Sequence, residues 1–382
     1  MHLAFLTPEY PHAASTTSGG LGTSIKNLTQ ELVLKGVEVS IIIYGQKRNQ
    51  TFTEGNIHFY LVKQKNYKFG GWYFYRKFLQ NFLNRLAEKE KIDLIEAADW
   101  TGITAFMNIK KPLVLRLHGS DTYFCTLEGR KQKWKNRWFE RNALKNADRI
   151  ISVSEFAGKK TMQLFGINTG FKVIPNAVNL KKFTAEDENI DPDQLLYFGS
   201  LLRKKGVLEL ASIFNSVVEK RPSTTLTVLG KDVKDARENT STLELYRNLL
   251  SAKAIKNFTY LGEMQYEQVK FQLAKAAVIV LPSFAEAFPM TWLEAMAMGK
   301  ALVTSNIGWA PEIMINGKTG FTEHPEDHDN YATKILKLLG NPDLRREMGV
   351  NARKKVCHEF SSEIIASKNI SFYESVLKQT DN

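Results

Sequence analysis

Short apolar runs rich in β-branched residues alternate with stretches of helical period along most of the chain. The runs Leu3–Thr7, Val37–Tyr44, Ile92–Ala97, Val114–Leu117, Ile150–Val153 and Val173–Ile174 have the length and composition of buried strands. Between the first two, Ile25, Leu28 and Leu32 fall on one face of a helix predicted over Leu21–Lys35, with Gly36 as its stop. A second series follows, with strands at Leu195–Phe198, Leu226–Leu229, Phe258–Leu261, Val278–Leu281 and Ala301–Thr304. Its helices are predicted near Val207–Lys220, Gln265–Ala274 and Trp292–Ala297, and after Asn341-Pro342 the pattern is helical to the end. Apolar strands separated by helices predict parallel sheets covered on both faces.

The series break at Pro175–Asp193, where Asn176, Asn179, Asn189, Pro192 and the acidic run Glu186-Asp187-Glu188 read as an exposed linker. The expected fold class is α/β, with two doubly wound domains and a ligand cleft between the carboxyl edges of their strands.

Composition narrows the picture. The chain has 382 residues, 43% of them hydrophobic and 24% charged, which excludes disordered, collagenous and coiled-coil classes. Two cysteines, Cys125 and Cys357, exclude a disulfide framework and a four-cysteine metal site. No stretch approaches the ~18 apolar residues of a membrane span. The N-terminus reads as a strand rather than a secretion signal, so a cytoplasmic location is expected. The charge of +12 is unevenly spread. Residues 1–183 hold 28 Lys+Arg against 14 Asp+Glu, and residues 184–382 hold 24 against 26. A basic first half implies an anionic partner, whether nucleic acid, a phospholipid surface or a phosphorylated substrate.

Three segments carry candidate chemistry. Ser18-Gly19-Gly20-Leu21-Gly22-Thr23 links the first strand to the first helix, as either an anion cradle or a tight turn. It is not G-x-G-x-x-G, and Tyr44-Gly45-Gln46 offers no acidic residue after the second strand, which disfavours nicotinamide binding. Gly199-Ser200-Leu201-Leu202-Arg203-Lys204-Lys205-Gly206 places three cations at a helix start, against the helix dipole unless an anion sits there. Its spacing is not that of a Walker loop. In the segment Ser283–Gly299, Glu286 and Glu294 are separated by seven residues. Glu294 sits in an otherwise apolar helix, where a buried carboxylate needs a partner, and hydroxyl groups of a sugar or ribose suit it.

Taken in order, these segments resemble the retaining glycosyltransferases of family 4, with the two-domain GT-B fold. The likeness also draws on Arg116-Leu117-His118-Gly119-Ser120-Asp121, Ser152-Val153-Ser154-Glu155, Ile174-Pro175-Asn176-Ala177-Val178, Gly308-Trp309-Ala310-Pro311-Glu312 and Gly320-Phe321. The resemblance implies an acceptor-binding domain over residues 1–180, completed by a C-terminal helix at about 361–382, and a nucleotide-sugar-binding domain over 181–360. It implies that Gly20 lies near the donor phosphate or the acceptor, and that His118 points towards the donor sugar. Lys205 would bind the diphosphate with backbone amides around Ala287, Phe288 and Pro289. Glu286 would contact the transferred sugar and Glu294 the ribose. The family usually carries arginine where this chain has Ser200, so either Arg203 substitutes or Lys205 carries more of the charge. Pro289 stands where glycine is common and has no N–H to donate.

The basic half also contains two aromatic segments. In Lys63–Lys91, Tyr75, Phe78, Leu79, Phe82 and Leu83 form a helical face that reads as core. In Gly129–Lys145, seven cations accompany Trp134 and Trp138, a combination found in interfacial helices. No nucleic-acid motif accompanies them.

The expected activity is transfer of a sugar from a nucleotide-sugar, as co-substrate rather than cofactor, to a glycan or lipid-linked acceptor, with retention and without a catalytic metal. The basic half would meet an anionic membrane surface, the inner face of the cell membrane, and nucleic acid is not an expected partner. The alternatives are a nucleotide-sugar epimerase or a phosphorylase on the same fold, or a non-catalytic anion- or membrane-binding module.

Overall fold

The computed structural model describes residues 1–15, 18–184 and 190–380. Glu186-Asp187-Glu188 and Asn189 of the expected linker lie outside them. The chain divides into two compact units, Met1–Ala177 together with Ser362–Asn382, and Val178–Ser361.

The first unit is built on an eight-stranded sheet among the described residues. Its strands are β1 (His2–Thr7), β2 (Glu38–Gln46), β3 (Gln50–Glu54), β4 (Ile57–Lys63), β5 (Leu94–Ala98), β6 (Leu113–Leu117), β7 (Arg149–Ser152) and β8 (Lys172–Val173). They lie in the order β3-β4-β2-β1-β5-β6-β7-β8. All neighbours run parallel except β3 and β4. Successive strand residues face opposite sides of a sheet. Leu3 and Phe5 of β1 accordingly join Val39 and Ile41 in one core, while Ala4 and Leu6 join Ile42 and Ile95 in another. Helix Gly71–Lys89 sends Tyr75, Leu79 and Leu83 into the second core, the face that its periodicity predicts.

The chain returns to this unit through its last helix, Ser362–Thr380, which adds Ile365, Ala366, Tyr373 and Val376 to the first core. A buried polar group fixes it there. Arg116 of β6 makes a bidentate pair with Glu96 of β5 at 2.7 and 2.9 Å and also donates to Asn369 Oδ1 at 2.5 Å. The Tyr373 hydroxyl donates to Glu96 at 2.6 Å. Burial alone would lower the Arg116 pKa, but Glu96 and Tyr373 raise it above the ordinary guanidinium value.

The second unit carries a six-stranded sheet among the described residues, parallel throughout. Its strands are β9 (Asp191–Phe198), β10 (Thr225–Leu229), β11 (Phe258–Gly262), β12 (Ala276–Leu281), β13 (Ala301–Ser305) and β14 (Phe321–Glu323), in the order β11-β10-β9-β12-β13-β14. Helix Val207–Lys220 covers the sheet with Leu210, Ala211, Phe214 and Val217 fully buried.

Each strand run expected from the sequence overlaps a strand. β3, β4 and β14 are additional to those runs. β3 reads Gln-Thr-Phe-Thr-Glu and is an exposed edge strand, so its sequence lacks an apolar signature. Among the parallel strands of each sheet the order reverses once, between β1 and β5 in the first unit and between β9 and β12 in the second. Open α/β sheets bind ligands outside the carboxyl ends of the strands at such reversals.

Candidate active site

In the second unit the loops leaving β9 and β12 meet at the reversal. Gly199, directly after β9, has φ +137°, a conformation that side chains rarely adopt, and a Cβ added there would meet Lys205 and Thr291 at 3.9 Å. Gly206 has φ +67°, and a Cβ on it would stand 1.8 Å from the Pro282 carbonyl oxygen. The two glycines therefore let the cationic turn Arg203–Lys205 lie flat against the loop after β12. Backbone bonds fasten it, since the Lys204 carbonyl accepts from Phe284 N at 2.8 Å and Ala285 N at 3.2 Å.

This seam brings Lys205 Nζ to 2.9 Å from Glu286 Oε1, and Ser283 Oγ donates to the same oxygen at 3.1 Å. Glu286 is buried, and its charge helps to raise the pKa of the desolvated Tyr197 phenol well above the ordinary value. Tyr197 in turn donates to the Ser200 carbonyl at 3.1 Å, holding the loop from below. Ala287, Phe288 and Pro289 are buried behind Glu286. Pro289 is the N-cap of helix Met290–Ala297. The N-cap N–H is one of the four donors that a helix start leaves without intrahelical partners, so Pro289 removes that one and leaves those of Met290, Thr291 and Trp292. Thr291 and Glu294 are three residues apart and share a face of this helix. Glu294 is 5% exposed.

Arg203, the candidate substitute for the arginine absent at Ser200, has an acidic partner. Its guanidinium pairs with Asp235 at 3.0 and 3.2 Å, and that side-chain bond raises its pKa and lowers that of Asp235. Arg203 and Lys205 are thus each paired with a carboxylate, Asp235 and Glu286 respectively.

The first unit has its own cluster at the β1/β5 reversal. Gly20 is exposed and opens helix Gly20–Leu34. The anion at this helix start is the protein's own: Glu9 Oε1 accepts from Gly19 N at 2.9 Å and Gly22 N at 2.8 Å. His118 follows β6, and Gly119 after it has φ +93°, with the Phe124 ring 2.7 Å from where a Cβ would be. Desolvation, with the Arg116 charge close by, lowers the His118 pKa to about 3. The imidazole is therefore neutral at physiological pH, with one ring nitrogen a donor and the other an acceptor.

The His118 backbone N–H donates to Asp99 Oδ1 at 3.0 Å, while Asp99 Oδ2 has no hydrogen-bond partner. Burial pushes Asp99 up to about 7, opposed by the His118 N–H and reinforced by Glu140. Glu140 itself is buried and accepts from the N–H groups of Asp121 and Thr122 at 2.9 and 3.1 Å. Asp99 and Glu9 escape a motif search because each is a single acidic residue. Their signal is position, just past the carboxyl ends of β5 and β1. The cations of Gly129–Lys145 are partly structural, since Arg137 and Arg141 donate to the Leu164 and Phe165 carbonyls at 2.6 and 3.3 Å.

Comparison with known proteins bears on the family and the fold. The family model described as Glycosyltransferase Family 4 matches residues 18–182, and that described as Glycosyl transferases group 1 matches residues 179–355. Glycogen synthase of Mycobacterium tuberculosis is 26% identical over 297 residues, 74% of this chain and 68% of that protein. Sucrose-phosphate synthase from Thermosynechococcus elongatus has a TM-score of 0.83 at 20% identity, covering 99% of both chains. The Anabaena protein HepE in complex with UDP-glucose has a TM-score of 0.75 at 17% identity, covering 98% of this chain and 100% of that one. These likenesses show the GT-B fold.

Proposed function

Since the chain belongs to the family 4 glycosyltransferases, we propose that it moves a sugar from a nucleotide-sugar to a glycan or lipid-linked acceptor, with retention and without a catalytic metal. The observation that carries this reading is the Lys205–Glu286 pair, set between a glycine-backed loop and the start of helix Met290–Ala297. A cation and a helix N-terminus stabilise a departing diphosphate, and a neighbouring carboxylate takes sugar hydroxyls. The solved HepE complex, which holds UDP-glucose, supports this class of donor.

In this reading the second unit holds the donor, with Lys205 on the diphosphate, Glu286 on the sugar and Glu294 on the ribose. Arg203 shapes the loop through Asp235. The first unit holds the acceptor. The bond from the anomeric carbon to the diphosphate oxygen breaks, and the acceptor oxygen bonds to the same face. Its proton passes to the leaving phosphate oxygen, so no side-chain base is required.

The peripheral membrane role rests on the first unit's surface. Trp134 is 70% exposed, with Lys135 Nζ 5.7 Å from its ring and Lys131 and Lys133 just before it in the chain. Aromatic and basic side chains in one surface suit an anionic headgroup layer. No helix among the described residues is long and apolar enough to cross a membrane.

The test is incubation with a panel of nucleotide-sugars in excess EDTA, following nucleoside-diphosphate release and the anomeric configuration of the product. Release with a retained configuration supports the reading. An inverted product, or a strict divalent-ion requirement, contradicts it. An isomerised sugar without transfer would return the epimerase alternative.

A further inference from the structure

A cavity of about 650 Å³ opens in the first unit at the carboxyl ends of β1, β2 and β4. Neither His118 nor Asp99 lines it, although Asp99 acts electrostatically on Tyr44 in its wall. Its wall is of two kinds. Tyr44, Tyr67 and Trp72 supply aromatic surface, and Gln64, Lys65 and Arg76 supply amide and cationic groups. No Asp or Glu is among the lining residues.

Two features of this wall are unexplained by the fold alone. Arg76 is 7% exposed, yet among the described residues its guanidinium bonds to carbonyls rather than to a carboxylate. It donates to the backbone carbonyls of Trp72, Thr101 and Gly102 at 2.8 to 3.3 Å and lies 4.0 Å over the Phe139 ring. These bonds use one of the two protons on Nη1, so a donor remains on a buried cation. Desolvation lowers the Arg76 pKa to about 10, the direction expected of a buried charge without a counter-ion. The second feature is the Tyr44 hydroxyl, which is buried and has no hydrogen-bond partner. Both Asp99 and Glu9 are felt electrostatically at Tyr44, but Glu9 is already held by the Gly19 and Gly22 N–H groups.

Aromatic faces beside amides and a hydroxyl suit sugar rings, whose C–H faces are apolar and whose edges are polar. A buried guanidinium backed by Lys65, in a wall without carboxylates, adds a requirement for negative charge. We propose that this cavity binds an anionic saccharide, with Arg76 and Lys65 reading its carboxylate or phosphate. This rests on the glycosyl-transfer reading and names the chemical class of its acceptor.

Calorimetric titration with cellobiose, cellobiouronic acid and cellobiose 6′-phosphate tests this, because the three differ only at one exocyclic position. Either or both of the anionic disaccharides should bind at least tenfold more tightly than cellobiose, and the arm that binds identifies carboxylate or phosphate. Lys65→Gln, an exposed position that leaves the core untouched, should remove about tenfold of that preference. Arg76→Gln, checked for folding by its thermal transition, should abolish it, and Tyr44→Phe should weaken all three sugars alike. Equal binding of the three disaccharides, no binding of any, or a preference surviving Lys65→Gln and Arg76→Gln would overturn the proposal. Nucleoside-diphosphate binding is titrated on the same samples. If it persists while the anionic preference is absent, the cavity assignment alone falls. If it is absent in the unmodified protein, the transferase reading falls, and the acceptor assignment with it.

Discussion

Lys205 and Glu286 are 81 residues apart in the chain and 2.9 Å apart in the second unit. They meet because Gly206 has no Cβ to strike the Pro282 carbonyl and because the Lys204 carbonyl is bonded from Phe284 and Ala285. Replacing Gly206 by alanine should therefore separate them. Loss of nucleoside-diphosphate affinity in Gly206→Ala, with the protein still folded by circular dichroism, is the expected outcome.

Arg203 and Lys205 should differ sharply. The Arg203 guanidinium is matched by Asp235, so Arg203→Ala should mainly loosen the loop and cost a few-fold in diphosphate affinity. Lys205→Ala removes a charge-assisted contact of roughly 1.5–3 kcal/mol, about ten- to a hundredfold in Kd. Equal losses in the two variants would instead give Arg203 a direct part in donor binding.

Glu286 and Glu294 should separate in kinetics. Glu286→Gln is expected to lower kcat with little change in nucleoside-diphosphate Kd, whereas Glu294→Gln is expected to raise that Kd. Initial rates together with calorimetry check both, and activity should persist in excess EDTA in the unmodified enzyme.

Asp99 and His118 should give a characteristic pH profile of stability. Asp99 has a pKa of about 7, raised from 3.8, so the native state binds more protons than the unfolded chain between those values. Its contribution is complete below about pH 4 and is lost as pH rises towards 7, at up to ~1.4 kcal/mol per pH unit. His118 is lowered from 6.5 to about 3, so it acts with the opposite sign, its stabilising effect lost as pH falls below 6.5. The two oppose each other between about pH 4 and 6.5. Asp99→Asn keeps an acceptor for the His118 N–H and should unmask the histidine. Denaturant unfolding at a series of pH values should then show stability rising from pH 4 to 6.5, and a gain over the unmodified protein at pH 8.

The Arg116–Glu96 pair anchors the returning helix through Asn369 and Tyr373. Removing one partner of a buried pair costs ~3–5 kcal/mol, because the other is left uncompensated. Glu96→Gln should fall in that range by urea unfolding, and Tyr373→Phe, which removes one hydroxyl, should cost about 1–2 kcal/mol.

These contacts mark how far the sequence could be read. The apolar runs of β1, β2, β9 and β12 are legible because parallel strands buried on both faces are continuous in hydrophobicity. β3 is polar because it is an edge, and β14 has only three residues, so neither carries that signature. Glu286 and Lys205 are legible as members of ordered segments, but their pairing depends on two glycine conformations that no spacing encodes. Arg203 shows the limit most clearly. Its place in a cationic run suggests a phosphate ligand, and only the fold brings Asp235 to it. Asp99, Tyr44 and Arg76 are isolated in sequence and gain meaning from burial without full partnership.

The first unit's basic and aromatic surface should bind anionic vesicles in a salt-dependent way, since exposed charges are screened over about 8 Å at physiological ionic strength. Sedimentation with anionic vesicles should exceed that with neutral ones and fall when Lys131, Lys133 and Lys135 are replaced by glutamine. Equal binding to both vesicle types would contradict a charge-led membrane contact.

The central claim is that the second unit holds the diphosphate of a nucleotide-sugar at Lys205. Calorimetric titration of UDP, GDP and ADP into the unmodified protein and Lys205→Ala, in EDTA, tests it most directly. At least one of the three should bind the unmodified protein and lose tenfold or more in Lys205→Ala. Binding of equal strength in both proteins, or no binding of any of the three to the unmodified protein, would contradict it.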